Sequence, residues 1–489
     1  MTAAPSRIAI EPDVLIVGAG PAGLAAARAL VDAGVPVLVC DDNDQGGGQY
    51  FRQLPASFSV CATSRLYRDQ PRALQALSVL KHPLVTYWKS TTLWSAGADG
   101  EFAYSREGMT GRLKPRQVIL ATGAHDKASP FPGWTLPGVI SAGGCLNLIK
   151  GQGIVPGRRV ALAGNGPLLL VAAYSLLRAG VKIVAIAEAA RTIPMLRHAP
   201  GLLASPALLL LGMKYRMAIL AAGVKLLTGH AVTQATGDRH VEQIVFAPVG
   251  ADGMPREAGA RTFEVDSLVT GYGLSPSTEF ARMMGLDMHF DRVLGGWVPQ
   301  RSQELETSRA GVFGAGDGCG IGGVELATLE GTRAGLSVAR RLGFRIDTQA
   351  READAALARM NKFRRALAAA YLLPTEVQLA TADTLVCRCE NVTLARVQAA
   401  AREFNGDFTR VKSATRIAMG SCQGRNCLGT CAGIVSRECA ISLESLVPPR
   451  MRPPARPIPL SSLLAETLGP AHEPGIDDGV RREESTLST

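Results

Sequence analysis

Short runs of consecutive apolar residues recur along this chain, each followed by a small-residue turn and several by a longer Ala/Leu-rich stretch. Val14-Leu-Ile-Val17 is the first. All four positions are apolar rather than alternating, which predicts a strand buried on both faces in a parallel sheet. It feeds Gly18-Ala-Gly20-Pro-Ala-Gly23, then a helical stretch from Leu24 to Ala33 that Gly34 ends, then a second strand, Val35-Pro-Val-Leu-Val-Cys40. The pattern returns at Val160-Ala-Leu-Ala163, with Gly164-Asn-Gly166-Pro-Leu-Leu169, an apolar helix to Ala179-Gly180, and a strand from Lys182 to Ala187 ending at Glu188. Val118-Ile-Leu-Ala-Thr122-Gly123-Ala124 and Gly311-Val-Phe-Gly-Ala-Gly316-Asp317 are two further strands that end in small-residue turns. Arg351 to Tyr371 reads as an Ala-rich helix. Strands alternating with helices define an α/β protein with parallel sheets.

The first glycine turn has a specific mechanical reading. Gly18 permits the tight turn, Gly20 lets backbone approach a pyrophosphate, and Gly23 lets the helix pack closely on its strand. The unpaired N–H groups of the helix N-terminus then face the phosphates. Asp41 and Asp42 end the second strand, where such a fold places the acid that binds a ribose hydroxyl. The second turn departs from this pattern at one position: Leu169 stands where the third glycine belongs. Gly164, Gly166 and Glu188 can still hold an adenosine moiety, so NAD(P), ATP and a vestigial pocket all stay open for this fold.

Composition narrows the field. A chain of 489 residues with 47% hydrophobic content has material for two to four domains, and its 53 glycines suit nucleotide-binding α/β turns. The net charge of +10 is spread without a long Lys/Arg block, so no nucleic acid partner is expected. Met1 to Glu11 lacks an apolar signal core, which gives a cytoplasmic expectation. The apolar stretch from Leu202 to Val224 is broken by Lys214 and Arg216, short of the ~20 apolar residues a spanning helix needs. It reads as a core helix or a partner-facing surface, with peripheral membrane contact as a further option.

Ten cysteines are unevenly spread: Cys40, Cys61, Cys145 and Cys319 are isolated, and six lie between Cys387 and Cys439. That clustering favours metal binding over disulfides. No Cys-x-x-Cys accompanies the nucleotide turns, which excludes thiol–disulfide chemistry. Cys387-Arg-Cys389 reads as an extended segment that presents both thiolates on one face, and Cys422-Gln-Gly-Arg-Asn-Cys427 turns at Gly424 to supply a second pair. A helix follows, so its N–H groups would offset negative charge, as would Lys412, Arg416 and Arg425. Four thiolates in two pairs suit zinc or [2Fe–2S], and the absence of Cys-x-x-Cys knuckles favours iron–sulfur. Cys431, one helical turn beyond Cys427, is the substitute ligand. The segment Thr415-Arg416 and Met419-Gly-Ser-Cys-Gln-Gly-Arg-Asn-Cys427 closely resembles the bacterioferritin-associated-ferredoxin-like module, departing at Ala418 where glycine is common.

Gly46-Gly-Gly48-Gln49, Thr122-Gly123 and Gly316-Asp317, with the first glycine turn, resemble the FAD-binding segments of two-dinucleotide-domain flavoprotein reductases. In that family the last Asp bonds the ribityl chain, a role the resemblance gives to Asp317, which would also suit a helix N-cap. Ser129-Pro-Phe-Pro-Gly-Trp-Thr-Leu-Pro-Gly138-Val139 and Gly316-Asp-Gly-Cys-Gly-Ile-Gly-Gly323 extend the likeness. Over nearly its whole length the chain resembles the A (alpha) subunit of heteromeric flavin dehydrogenases, a group that includes opine oxidases, D-hydroxyproline dehydrogenase and hydrogen cyanide synthase. The resemblance implies nested Rossmann-like folds plus a small α-helical [2Fe–2S] module: FAD halves at 1–150 and 269–345, an inserted nucleotide fold at 151–268, a helical linker at 346–384, the cluster module at 385–440 and a Pro-rich tail at 441–489.

The resemblance further implies that a beta subunit with its own FAD oxidises the C–N bond of an amino acid, imino acid or opine. This chain would pass those electrons through flavin and cluster to a downstream acceptor. Related complexes also suggest an FMN at a subunit interface, together with a small third subunit. A stand-alone NAD(P)H-dependent reductase and a scaffold with idle cofactors are the alternatives. The sequence assigns no catalytic acid or base. His125 reads as flavin-proximal or as a solvent-facing loop residue, and Arg52 as a phosphate or partner-flavin contact or a surface charge.

Overall fold

The computed structural model describes residues 10–55, 57–58, 70–191, 196–373 and 378–460. Cys61 and the distal tail lie outside them. Strands Val312–Gly314, Gln117–Leu120, Val14–Val17, Val37–Cys40 and Val85–Trp88 form the first sheet in that spatial order, all parallel. Every residue of Val14–Val17 and Val37–Cys40 is buried, as an uninterrupted apolar run in a central parallel strand requires. A three-stranded antiparallel meander, Thr91–Ala96, Phe102–Arg106 and Met109–Leu113, lies in the connection before Gln117–Leu120. Sequence patterning did not single it out.

Two helices clamp this sheet to its distant return. The helix Pro21–Asp32 packs on Gly323–Arg341 with the backbones nearly touching, because Gly331 and Gly335 oppose Ala22 and Ala26. A Cβ at Gly335 would lie 2.6 Å from the Ala26 carbonyl oxygen. This close crossing brings Gly316 against Ala22, beside the first glycine turn, from some 300 residues away.

The second sheet is also parallel, in the order Lys225–Thr228, Lys182–Glu188, Arg159–Gly164, Ser267–Gly271 and Val139–Ser141. Its edge strand Val139–Ser141 precedes position 151, so the inserted sheet recruits residues that the sequence assigned to the first FAD half. The helix Pro206–Ala221 packs on this sheet's layer through Ile219, while Leu210, Met213, Met217 and Leu220 stay exposed. A helix apolar all round buries only one side within the chain, leaving its outer face for contacts elsewhere. Among the described residues no helix is long and apolar enough to cross a membrane.

The cysteine-rich segment folds as a hairpin, Leu385–Cys387 with Val392–Thr393, and helices Leu394–Glu403, Phe408–Thr415 and Leu428–Cys439. Its core includes Trp297 of the body, so the module is not a detached bead. Beyond it, Ala455 is fully buried, its N–H donating to the Trp94 carbonyl at 2.7 Å, and Arg456 pairs with Asp42 at 3.1 Å. The described part of the Pro-rich tail therefore straps over the first domain.

Candidate functional site

The first glycine turn has the geometry its spacing demands. Gly18 sits at φ +105°, where a Cβ would stand 2.5 Å from the Ala121 carbonyl oxygen, and its N–H donates to the Cys40 carbonyl at 2.8 Å. Gly23 leaves no room for a Cβ against the Gly18 carbonyl, so the helix sits hard on the strand. Gly48, at φ +58°, lies directly over Gly20, and the Gly47 N–H donates to Ala19 at 2.8 Å. Gln49 accepts a bond from Arg52.

The two acids at the end of the second strand divide their work. Asp41 is buried and accepts the Ala19 N–H at 2.6 Å and the Asn43 N–H at 2.8 Å, so it braces the turn; burial raises its carboxyl pKa. Asp42 stays partly open on the tail side, paired with Arg456.

From the other half, Thr122 donates to the Ser277 carbonyl at 2.7 Å, and Gly318 approaches the Thr122 hydroxyl so closely that a Cβ there would stand 2.5 Å from it. Asp317 accepts the N–H groups of Gly322 at 2.8 Å and Gly323 at 3.0 Å, capping the helix Gly323–Arg341 through one oxygen. A buried ion pair invisible in the sequence holds this turn: Arg301 bonds Glu330 at 2.9 Å, and Glu330 also accepts the Gly316 N–H at 2.9 Å.

The second glycine turn is differently furnished. Leu169 is fully buried in the core of the inserted fold. Glu188 is fully buried and paired with Arg216 at 3.2 Å; burial raises its carboxyl pKa against the pull of that guanidinium. Asn165 donates to the Tyr371 carbonyl at 2.7 Å, so the end of the helix Asp347–Tyr371 lies on the turn itself. Neither Arg216 nor Tyr371 carried a sequence signal for this place.

The four cysteines come together in the module. Cys427 stands next to both Cys387 and Cys422, and Cys422 next to Cys389, close enough for each thiol to influence its neighbour's protonation. The hydrogen bond from Cys427, with backbone N–H groups of Glu390, Ala418 and Cys389, outweighs burial and draws the Cys387 thiol down to about 6. Cys422 is lowered by the same kind of contact, from Cys427 first, with N–H groups of Asn426 and Gly424 adding to it. Cys389 does not lie in an extended strand as we expected. It sits in the turn after Leu385–Cys387, and Asn391 at φ +50° closes that turn, so folding back rather than strand alternation gathers the pair. Gly420 packs against the Cys389 Cβ with no room for its own.

Cys427 is the N-cap of Leu428–Cys439. Cys431 is fully buried in that helix, and burial pushes its thiol up. Among the described residues no three or more His, Cys, Asp or Glu side chains gather tightly enough to hold a metal ion as they stand.

Ala418 adopts φ +64°, which explains the glycine common at this position. Ala418→Gly should stabilise the module by about 1 kcal/mol, since an L-residue in this region costs roughly that much. Chemical denaturation of the intact chain measures it, and an unchanged or lower midpoint would refute the strain.

The loop from Cys422 to Cys427 and the helix after it dock on the residues that follow Gly123. His125 contacts the Arg425 carbonyl, Thr430 donates to the Ala128 carbonyl at 3.2 Å, and Trp134 donates to the Leu385 carbonyl at 2.8 Å. A cavity of about 430 Å³ opens beside this seam, lined by His125, Lys127, Tyr272, Arg282 and Arg425 among others. His125 is half-buried and faces this seam rather than open solvent. Cys145 and Cys319 are isolated and buried, their thiols raised to about 12 and about 11 by burial, so neither is a reactive redox thiol.

This architecture, two nested glycine-turn folds with a closing small-residue strand, is that of a flavin oxidoreductase. Residues 12–335 match the family model described as pyridine nucleotide-disulphide oxidoreductase. The A subunit of opine oxidase from Rhizobium meliloti is 33% identical over 92% of this chain and 98% of its own length. Hydrogen cyanide synthase subunit HcnB of Pseudomonas aeruginosa is 31% identical over 92% and 97%. Among solved structures, L-proline dehydrogenase from P. horikoshii shares the fold at TM-score 0.65 and 19% identity, over 93% of this chain and 79% of that one. The chain belongs to the pyridine nucleotide-disulphide oxidoreductase family and, within it, to the flavin-dependent oxidoreductases typified by the A subunit of opine oxidase.

Proposed function

We propose that this chain is the electron-relay subunit of a heteromeric amine or amino-acid dehydrogenase. A partner subunit with its own FAD oxidises a C–N bond, and this chain carries the electrons through flavin and a [2Fe–2S] cluster to a downstream acceptor. The single observation that carries the reading is the gathering of Cys387, Cys389, Cys422 and Cys427 on a loop docked against the residues that follow Gly123. A two-iron cluster takes two thiolates on each iron, so its ligands spread more widely than those of a single ion. The backbone N–H groups aimed at Cys387 and Cys422 and the helix N-terminus at Cys427 suit a group that binds as thiolate and carries negative charge. The cluster supplies one-electron acceptance when bound.

The remaining work falls to the chain's own residues. Gly18, Gly20 and Gly23 open the approach to the flavin pyrophosphate, Asp42 takes the ribose, and Gly48 and Gln49 line the same crevice. Thr122, Gly123, Gly316 and Asp317 close on the flavin from the far side, Asp317 through the oxygen not used in capping. Against direct reduction by NAD(P)H stand the buried Leu169, the Glu188–Arg216 pair and the Tyr371 carbonyl on Asn165. An adenine nucleotide held at Gly164 and Gly166 would be structural in this reading. The relatives are themselves named as subunits, which supports a partner.

Anaerobic purification with and without the co-purifying partner, followed by low-temperature EPR, tests this. The expected result is a cluster silent towards NADH and NADPH but reduced by an amino acid or opine when the partner is present. Rapid flavin bleaching by NAD(P)H in the chain alone would make it a self-contained reductase.

A further inference from the structure

The contact between His125 and the cluster loop is more specific than packing requires. His125 lies on the short strand Ala124–Asp126, two residues after Gly123, and pairs with Ser275 of Leu274–Pro276. Its Nε2 is 2.8 Å from the Arg425 carbonyl, and its Nδ1 is 3.4 Å from the Ser277 hydroxyl. A carbonyl can only accept, so Nε2 carries the proton and Nδ1 receives the hydroxyl. Ser277 is itself held by the flavin turn: its N–H donates to the Gly123 carbonyl at 3.0 Å, and its carbonyl accepts from Thr122.

Arg425 stands between Cys422 and Cys427. Its guanidinium pairs with the buried Glu279 at 2.6 Å and donates to the Ala455 carbonyl at 2.6 Å. The middle of the ligand loop is therefore held at three points: backbone to His125, side chain to Glu279, and side chain to the tail. Arg416, the other loop arginine, pairs instead with Glu390 inside the module at 2.8 Å.

We propose that His125 is the positioning residue that couples the flavin turn to the cluster. The bonded route runs from Gly123 through Ala124 and His125, across one hydrogen bond to the Arg425 carbonyl, then through Asn426 to Cys427. This rests on the relay reading above. Each transfer moves one electron from reduced flavin to one ferric iron. With both groups bound, the protons of the reduced flavin would leave to solvent and the electron would pass on to the downstream acceptor, with no bond in the protein formed or broken.

The test uses the intact chain loaded with flavin and cluster, with flavin reduced by a light pulse and cluster reduction followed optically and by freeze-quench EPR. His125→Phe should keep both cofactors and the cluster midpoint potential but slow the transfer by at least ~10-fold, since loosened positioning of that order has such costs. His125→Gln, which retains an N–H donor, should restore most of the rate. An unchanged rate in His125→Phe overturns the assignment. So does loss of the cluster from that variant, which would make the bond purely structural. No transfer in the unsubstituted chain would instead sink the relay reading itself.

Discussion

Replacing Cys422 by serine should abolish the [2Fe–2S] absorption and EPR signals while leaving flavin bound at its normal occupancy. Cys422 lies beside Cys427 and Cys389, between the hairpin thiols and the thiol at the start of Leu428–Cys439, and no other described cysteine is placed to replace it. Cys431 is the nearest candidate by sequence, but it is fully buried inside Leu428–Cys439, one turn into the helix and away from the loop. Bringing it to the loop would require unwinding the first turn of that helix. Cys431→Ala should therefore keep the cluster. The proposed flavin crevice, at Gly18–Gly23 and Gly316–Asp317, does not touch Cys422, so flavin loss is not expected. Iron content, EPR and flavin extraction on both variants decide the matter. A cluster that survives in Cys422→Ser and vanishes in Cys431→Ala would reverse the ligand assignment.

Gly23→Ala should cost the chain its flavin and destabilise the first domain by at least about 3 kcal/mol. The added methyl would overlap the Gly18 carbonyl and stand 3.2 Å from the Ile16 side chain. The helix cannot retreat, because Gly331 presses on Ala22 from its other side with no space for even one carbon. Either the helix tilts and loses its grip on Gly323–Arg341, or the Gly18 turn deforms and closes the approach to pyrophosphate. Both routes remove flavin binding. Extracted flavin per chain and the thermal midpoint measure the effect, and full occupancy with an unchanged midpoint would show that the helix is not clamped in this way.

Much of this molecule was legible in the residues because the relevant physics is local. A glycine turn is specified by backbone freedom and steric room over six positions, so the tight turn at Gly18 and the close helix packing at Gly23 were legible before any fold was known. Uninterrupted apolar runs such as Val14–Val17 and Val37–Cys40 announced central parallel strands by the same logic. The paired cysteines suggested a metal-binding loop through spacing alone, although the reason given for bringing Cys387 and Cys389 together was incomplete. The sequence suggested strand alternation, whereas a turn closed at Asn391 brings them together. Leu169 stands where the third glycine of the pattern belongs, and it is fully buried in the core of the inserted fold.

Other decisions belonged to the tertiary structure, because they join residues that share no local pattern. Nothing near Asn165 foretells that the Tyr371 carbonyl will lie on it, more than 200 positions away. Val139–Ser141 carries three apolar or small residues that would suit either sheet, and only the pairing with Ser267–Gly271 assigns it. Asp41 and Asp42 look equivalent along the chain, yet one braces the turn from inside while the other meets Arg456 of the tail. His125 read equally well as a flavin neighbour or a solvent-facing histidine, and packing set it against the Arg425 carbonyl of the cysteine loop. Local sequence sets which backbone shapes and which donor atoms are available. Only the burial of the whole chain, which brings distant surfaces together to remove apolar area from water, decides which of them meet.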